Sequence, residues 1–282
     1  MKRGWIAALF VVLSFVLLHA EEKGRVDSAI ALWRAGKVDD ALAAVAAGLK
    51  EEPKSARLFN LRAQMRAMTG QLALADEDLT AAITAEPDSA SLFQSRAQLR
   101  FRLGRIEDSV KDFDKANQLA PRLEPQNWQR GIALYYAGRF ADGRKQFEVH
   151  QTVNPQDVEN AAWHFLCTAR EKGIDSARKS LIVVDRDGRI PMREVQQLFA
   201  GKATEKDVLK AAGAKDNGEE EAGTALFYAH LYLGLYFEAT GDAGRRDTHI
   251  RKAAELSDKD NYMGIVARVH ADRLKAKSAS KP

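Results

Sequence analysis

Along residues 22–157, apolar, small and helix-breaking positions recur in one phase, at a period of about 34 residues. Glycines stand at Gly36, Gly70, Gly104 and Gly138, and prolines at Pro53, Pro87, Pro121 and Pro155, each half a period after its glycine. One apolar column runs Val38, Leu72, Ile106 and Phe140; another runs Val45, Leu79, Phe113 and Phe147. Small residues hold Ala41, Ala75, Ser109 and Gly143. This pattern predicts helix hairpins. A first helix ends at the glycine, which accepts a left-handed turn. A second helix follows with its apolar face at i, i+3 and i+7. The small column lets the two helices approach, and proline cannot continue the second. One hairpin cannot bury its own apolar face, so the hairpins must stack.

The phase divides the chain into four regular units at 22–55, 56–89, 90–123 and 124–157. A later repeat-like unit with a capping helix spans 223–276, where Gly234, Gly241 and Ala253 keep the same relative places and Asp258 stands where a proline closes the others. The capping helix is expected at about 260–275, and the polar tail 277–282 is expected to be disordered. Residues 158–222 leave the phase and read as an irregular helical segment. They hold a helix pair in "VENAAWHFLCTAREKGIDSARKSL", two short helices broken at Gly201 with Thr204 as an N-cap, and a loop at 214–223.

The stretch "SRAQLRFRLGRIEDSVKDFDKANQLAP" (95–121) resembles a tetratricopeptide unit almost end to end, and the period of the columns is the period of that family. The resemblance implies an all-α fold: a right-handed tetratricopeptide helical-hairpin solenoid with an irregular helical insert and a C-terminal capping helix. It also implies a non-enzymatic scaffold whose concave groove is lined by the first helix of each repeat. Those positions here are Asn60, Gln64, Gln94, Gln98, Arg102, Trp128, Ile132, Tyr135 and Tyr136. Trp33, Phe101 and Tyr135 share one column. Aromatic and amide side chains on a concave wall suit an extended or helical peptide. Alternatively, the tyrosines pack against the irregular helices at 158–200 and meet no ligand. The lysine and asparagine clamp with which some members grip a terminal carboxylate is missing, its places being held by Asn60, Gln64 and Ser95. Arg62, Arg96 and Arg130 occupy one repeat position, and Asp78 and Asp112 another. They are expected to form a structural charge ladder rather than a substrate site.

In order and spacing, "QRGIALYYAGRF", "NPQDVENAAWHFLCTAR" and "FYAHLYLGLYFEATGD" are similar to the NlpI-type lipoproteins of the bacterial periplasm. That resemblance implies an envelope adaptor that docks a processing protease or a peptidoglycan hydrolase, often as a homodimer. The chain departs from the type by having no cysteine near residue 20 to carry a lipid anchor.

Residues 1–20 read as a signal peptide: Lys2 and Arg3 precede an apolar run at 4–18, and Ala20 stands before Glu21 and Glu22. This makes the protein exported, periplasmic or secreted. Leu18 is large for the −3 position, so an uncleaved anchor is the alternative, and membrane contact is expected only in that case. Without Lys2 and Arg3 the chain carries 41 basic and 39 acidic residues. That near balance argues against a nucleic-acid partner. A lone cysteine, Cys167, cannot form an internal disulfide, so packing alone holds the fold.

Other chemistry is sparse. "VVDRDGRIPMRE" (183–194) matches part of a calcium loop, but Val183 occupies the first ligand place, and a polar turn before a helix explains the same residues. The histidines show no metal-binding spacing. His150 stands in the tight column of Gly48, Ala82 and Ala116; it is expected to be a satisfied buried histidine, with a pH gate as the alternative. No phosphate loop, nucleophile elbow or paired catalytic carboxylates are present, so neither a cofactor nor a metal is expected. The competing function is a hydrolase site in 158–222 built from Asp185, Asp187, Glu194, His164 and Cys167. A third is a protein that only assembles with itself.

Overall fold

The computed structural model describes residues 24–213, 219–259 and 261–279, and every regular element among them is helical. The signal-peptide reading, part of the 214–223 loop and the last three residues of the tail therefore lie outside the described residues. The chain divides into two compact units, one ending at Leu99 and one beginning at Arg100.

In the first unit, helix α1 (24–34) pairs with α2 (Val38–Glu51), and α3 (Ala56–Met68) pairs with α4 (Leu72–Ala85). Helix α5 (Ala90–Arg102) runs to the boundary. The phased glycines close the first helices as expected. Gly36 and Gly70 take φ of +75° and +81°. The next N–H reaches back to a carbonyl of the last helical turn, from Lys37 to Leu32 at 3.0 Å and from Gln71 to Arg66 at 2.8 Å. Orphaned helix-end carbonyls are thereby satisfied by local chain geometry alone. Ser55 caps α3 by accepting from the Leu58 N–H. Val26, Ala41, Val45, Leu58 and Met65 form one buried cluster, with Trp33 packed against its side. The buried Asp78 carboxylate receives Arg62 at 2.6 Å and Arg66 at 2.8 Å.

The second unit continues with α6 (Ile106–Leu119), α7 (Trp128–Tyr136), α8 (Phe140–His150), α9 (Val158–Lys172), α10 (Ile174–Lys179), α11 (Met192–Phe199), α12 (Glu205–Ala212), α13 (Glu219–Thr240), α14 (Ala243–Leu256) and α15 (Tyr262–Ala279). Gly104, Gly138 and Gly241 repeat the positive-φ turn. The fourth unit differs from the regular pattern at its start. Pro121–Gln126 forms a 3-10 turn, so α7 begins only at Trp128. Pro125 lacks the N–H an α-helix needs. The turn is held instead from α8: Gln146 donates to the Glu124 carbonyl at 2.8 Å, and His150 Nδ1 lies 2.7 Å from the Pro125 carbonyl. His150 is thus a buried histidine with its partner found. Arg130 pairs with Asp114 at 2.6 Å and donates to Gln146 at 2.9 Å. Its role is structural.

Close packing explains the small residues. A Cβ on Gly131 would stand 2.6 Å from the Phe147 ring, one on Gly143 would meet Cys167 Sγ at 2.9 Å, and one on Gly234 would meet Ile250 at 2.6 Å. In the irregular segment, Thr204 and Asp207 form a capping box for α12. The Gln196 side chain bonds both the N–H and the carbonyl of Val184, at 2.9 and 3.0 Å, which anchors the extended stretch before α11. Two boundaries shift from expectation. Helix α13 already begins at Glu219, and α15 runs on through Ala279, so residues 277–279 are helical rather than disordered.

Candidate functional site

In the first unit, Asn60 and Gln64 lie one turn apart on α3, and Gln94 and Gln98 one turn apart on α5. Gln64 is exposed, while Asn60, Gln94 and Gln98 are half-buried. All four amide side chains therefore reach the surface of a first helix. The Asn60 side-chain carbonyl is buried without a partner. An amide pair one turn apart presents donors and acceptors in a row, the arrangement a peptide backbone or a partner's polar side chains can match.

In the second unit, Arg102 and Trp128 are half-buried. The corresponding face further along is closed. Ile132, Tyr135 and Tyr136 are 0%, 4% and 8% exposed, and this corrects the expectation that they line an open groove. The cause lies at the far end of the chain. Helix α15 and the end of α13 pack over α7. The Tyr136 hydroxyl lies 2.9 Å from His270 Nδ1, and the Tyr135 hydroxyl donates to Glu238 at 2.9 Å. Arg273 bonds the Tyr136 carbonyl at 3.1 Å. Both rings also meet the indole of Trp163 on α9, Tyr135 at 5.4 Å. Phe101, of the same column, is fully buried and stacks on Tyr262. Burial raises the pKa of both tyrosines well above the ordinary phenol value, so their hydroxyls stay protonated. Part of this closure matches the alternative in which the tyrosines pack against the irregular helices, through Trp163. The rest comes from α13 and α15, the late repeat and its capping helix, whose docking on α7 the repeat pattern does not specify.

Of the five residues offered for a hydrolase site, Cys167, His164 and Asp187 are engaged within the fold. The Cys167 thiol is fully buried and its pKa is pushed far up by desolvation, which keeps it protonated. Burial lowers the pKa of His164, whose Nε2 lies 3.4 Å from Glu148. Asp187 accepts from the Val158 N–H at 3.0 Å, at the start of α9. Arg189 grips Asp187, Asp157 and Glu159, each at 2.6 Å. The polar turn at 183–190 is therefore a clasp on the N-terminus of α9. Asp185 and Glu194 join neither contact. Among the described residues no cluster of histidine, cysteine, aspartate and glutamate could hold a metal ion, and no helix is long and apolar enough to cross a membrane.

Trp128 has a different setting from the tyrosines. With Trp163, Tyr228 and Tyr262 it walls a cavity of about 320 Å³ inside the second unit. Trp128 and Tyr262 meet edge to face at 5.1 Å. Asp157, Glu159, Asn160, Asn261 and His150 also border this space.

Comparison with known proteins bears on this geometry. The tetratricopeptide repeat family model matches residues 26–90. Among solved structures, the chain is similar to a tetratricopeptide repeat protein from Parabacteroides merdae, with 15% identity, a TM-score of 0.58, and coverage of 88% of this chain and 98% of that one. It is also similar to the MamA protein, with 16% identity, a TM-score of 0.52, and coverage of 56% of this chain and 86% of that one. At such identities the likeness is one of fold. A search of curated proteins finds no match.

Proposed function

On the premise that residues 26–90 carry tetratricopeptide repeats and the chain has the helical-solenoid fold of that family, we propose that this protein is a non-enzymatic scaffold of the cell envelope. It is exported by its N-terminal signal segment and holds a peptide or a helix of a partner protein. The partner class is an envelope protease or a peptidoglycan hydrolase, in keeping with the NlpI-like order of its segments. The binding surface is the first-helix face bearing Asn60 and Gln64 on α3 and Gln94 and Gln98 on α5.

One observation carries the choice of face. Gln64 is exposed and Gln94 and Gln98 are half-buried, whereas Ile132, Tyr135 and Tyr136 are consumed by the chain's own core.

Site-specific photo-crosslinking in intact cells tests the proposal. A crosslinker at Gln64 or Gln98 is expected to capture a protease or wall hydrolase, and one at Glu77, exposed on α4, is not. Capture at Glu77 alone, or equally at all three positions, would place the partner elsewhere.

A further inference from the structure

The aromatic cavity of the second unit has polar atoms that the fold leaves unsatisfied. Trp163 is 1% exposed and Asn160 is 3% exposed. The Trp163 indole N–H, the Asn160 Oδ1 and the Tyr262 hydroxyl are all buried with no hydrogen-bond partner. All three residues border the same space. Native interiors rarely leave one such group unpaired, and three around one cavity are a signature of something that binds there. The neighbouring polar groups are already committed. Asn160 Nδ2 donates to Gln151 at 2.6 Å, His150 Nδ1 is taken by Pro125, and Asn261 Oδ1 accepts from the Met263 N–H at 2.8 Å.

Charge and shape narrow the ligand. Asp157 and Glu159 border the cavity and share a single guanidinium, that of Arg189, with a third carboxylate, Asp187. One positive charge thus faces three negative ones. Burial holds the Glu159 carboxyl above its ordinary pKa despite Arg189 and the Tyr232 hydroxyl that donates to it at 2.7 Å. Glu159 is therefore undercompensated, whereas Arg189 and the Val158 N–H hold Asp187 below its ordinary pKa. Two indoles and two phenols form the walls, and the faces of such rings attract cations, Trp most strongly. A volume of about 320 Å³ is at the small end of ligand pockets and is enough for one amino acid.

We infer that this cavity binds a guanidinium or primary ammonium group of amino-acid size: the cation lies among Trp128, Trp163, Tyr228 and Tyr262, donates to Asn160 Oδ1, and has its own carbonyl or carboxylate oxygen within reach of the Trp163 N–H. The donor and acceptor assignments follow from the orphaned atoms, since an indole can only donate and an amide oxygen can only accept. The cation can be a free amino acid or an arginine or lysine side chain presented by a protein. The site lies wholly within residues 128–263 and goes beyond the adaptor reading, which concerns α3 and α5.

Isothermal titration calorimetry on the full chain decides it, with L-arginine, L-lysine, N-acetyl-L-arginine amide and L-citrulline as probes. Citrulline keeps the shape of arginine and removes its charge. A cationic probe is expected to bind at least tenfold more tightly than citrulline. Trp128→Ala is expected to weaken it at least tenfold while circular dichroism stays unchanged. Tyr262→Phe, which keeps the ring and removes one orphaned hydroxyl, provides a second variant should Trp128→Ala unfold. Binding of free L-arginine or L-lysine but not of the capped amide assigns a small-molecule ligand. Binding of the capped amide but not of the free amino acids assigns a side chain of a partner. Equal binding of citrulline and arginine, absence of heat with every cationic probe, or undiminished affinity in both folded variants would overturn the inference.

Discussion

The hydroxyl of Tyr136 lies 2.9 Å from Nδ1 of His270, 134 residues further along the chain. This contact brings the capping helix onto the fourth repeat and buries the face that the repeat pattern alone would leave open. It also creates a pH liability. His270 is almost fully buried beside Glu238, at 3.8 Å, and Arg273, and desolvation lowers its pKa to about 4. His230, whose Nδ1 lies 2.8 Å from that of His249, is likewise lowered to about 4.

Mild acid should therefore weaken the fold through these histidines. An unfolded histidine takes up its proton near pH 6.5, whereas His270 and His230 in the folded state resist until about pH 4. Stability is then full above about pH 7 and falls as pH drops from 6.5 towards 4, by about 2 kcal/mol per histidine at pH 5. Urea titrations at pH 7.5 and pH 5 measure this. His270→Gln should remove about half of the difference between them, His230 supplying the rest, and an unchanged profile would show that His270 does not titrate as its burial requires.

Tyr136→Ala should act on stability rather than on a binding surface. The ring packs on Phe101 at 5.5 Å and on His270 at 5.6 Å, so truncation leaves a cavity and strands the imidazole. The expected cost is about 3–5 kcal/mol, and a loss below about 1 kcal/mol in chemical denaturation would mean that the ring is not part of the core.

Glycines serve two physical roles here, and two substitutions distinguish them. Gly131→Ala drives a methyl to 2.6 Å from the Phe147 ring and should cost about 1–3 kcal/mol through overpacking. Gly36→Ala meets no atom within 4 Å, so its penalty of about 1–2 kcal/mol comes from the left-handed backbone alone. Thermal melts of both, with Gly36→Asn as a partial rescue of the backbone effect only, check the distinction.

His150→Ala should loosen the 3-10 turn at Pro121–Gln126. It leaves the Pro125 carbonyl without the group that now meets it at 2.7 Å, at a cost of about 1–3 kcal/mol. Amide exchange of Asn127, whose N–H bonds the Glu124 carbonyl at 3.0 Å, should rise in the variant. Unchanged protection there would show that Gln146 alone holds the turn.

Replacing Gln64 and Gln98 together by alanine should shift stability by less than about 0.5 kcal/mol per site, as surface changes usually do. The same double variant should lose partner capture in the crosslinking experiment. A stable variant that keeps its partners would move the binding surface away from α3 and α5.

Most of the hairpin architecture was legible from residue order because its causes are local. A glycine at positive φ, a proline that cannot continue a helix and a small residue at a helix crossing each act within one hairpin. Their recurrence at one fixed period announces the stack, and the arginine positions could be read as structural for the same reason. The candidate site was legible only where a first-helix side chain faces solvent, as with Gln64 and Gln98. Ile132, Tyr135 and Tyr136 follow the same column logic and end in the core, because what covers them, Glu238, Tyr262 and His270, lies far along the sequence. The undercompensated cavity behind Trp128 is equally non-local, drawing Asn160, Tyr228 and Tyr262 from three helices. Sequence by itself determined the helices, their turns and the repeat phase, which depend on neighbours within a turn or two of the chain. Only the tertiary structure decided which stretch of the repeat face stays open, because that depends on where the last helix docks, and no periodicity encodes a contact made once.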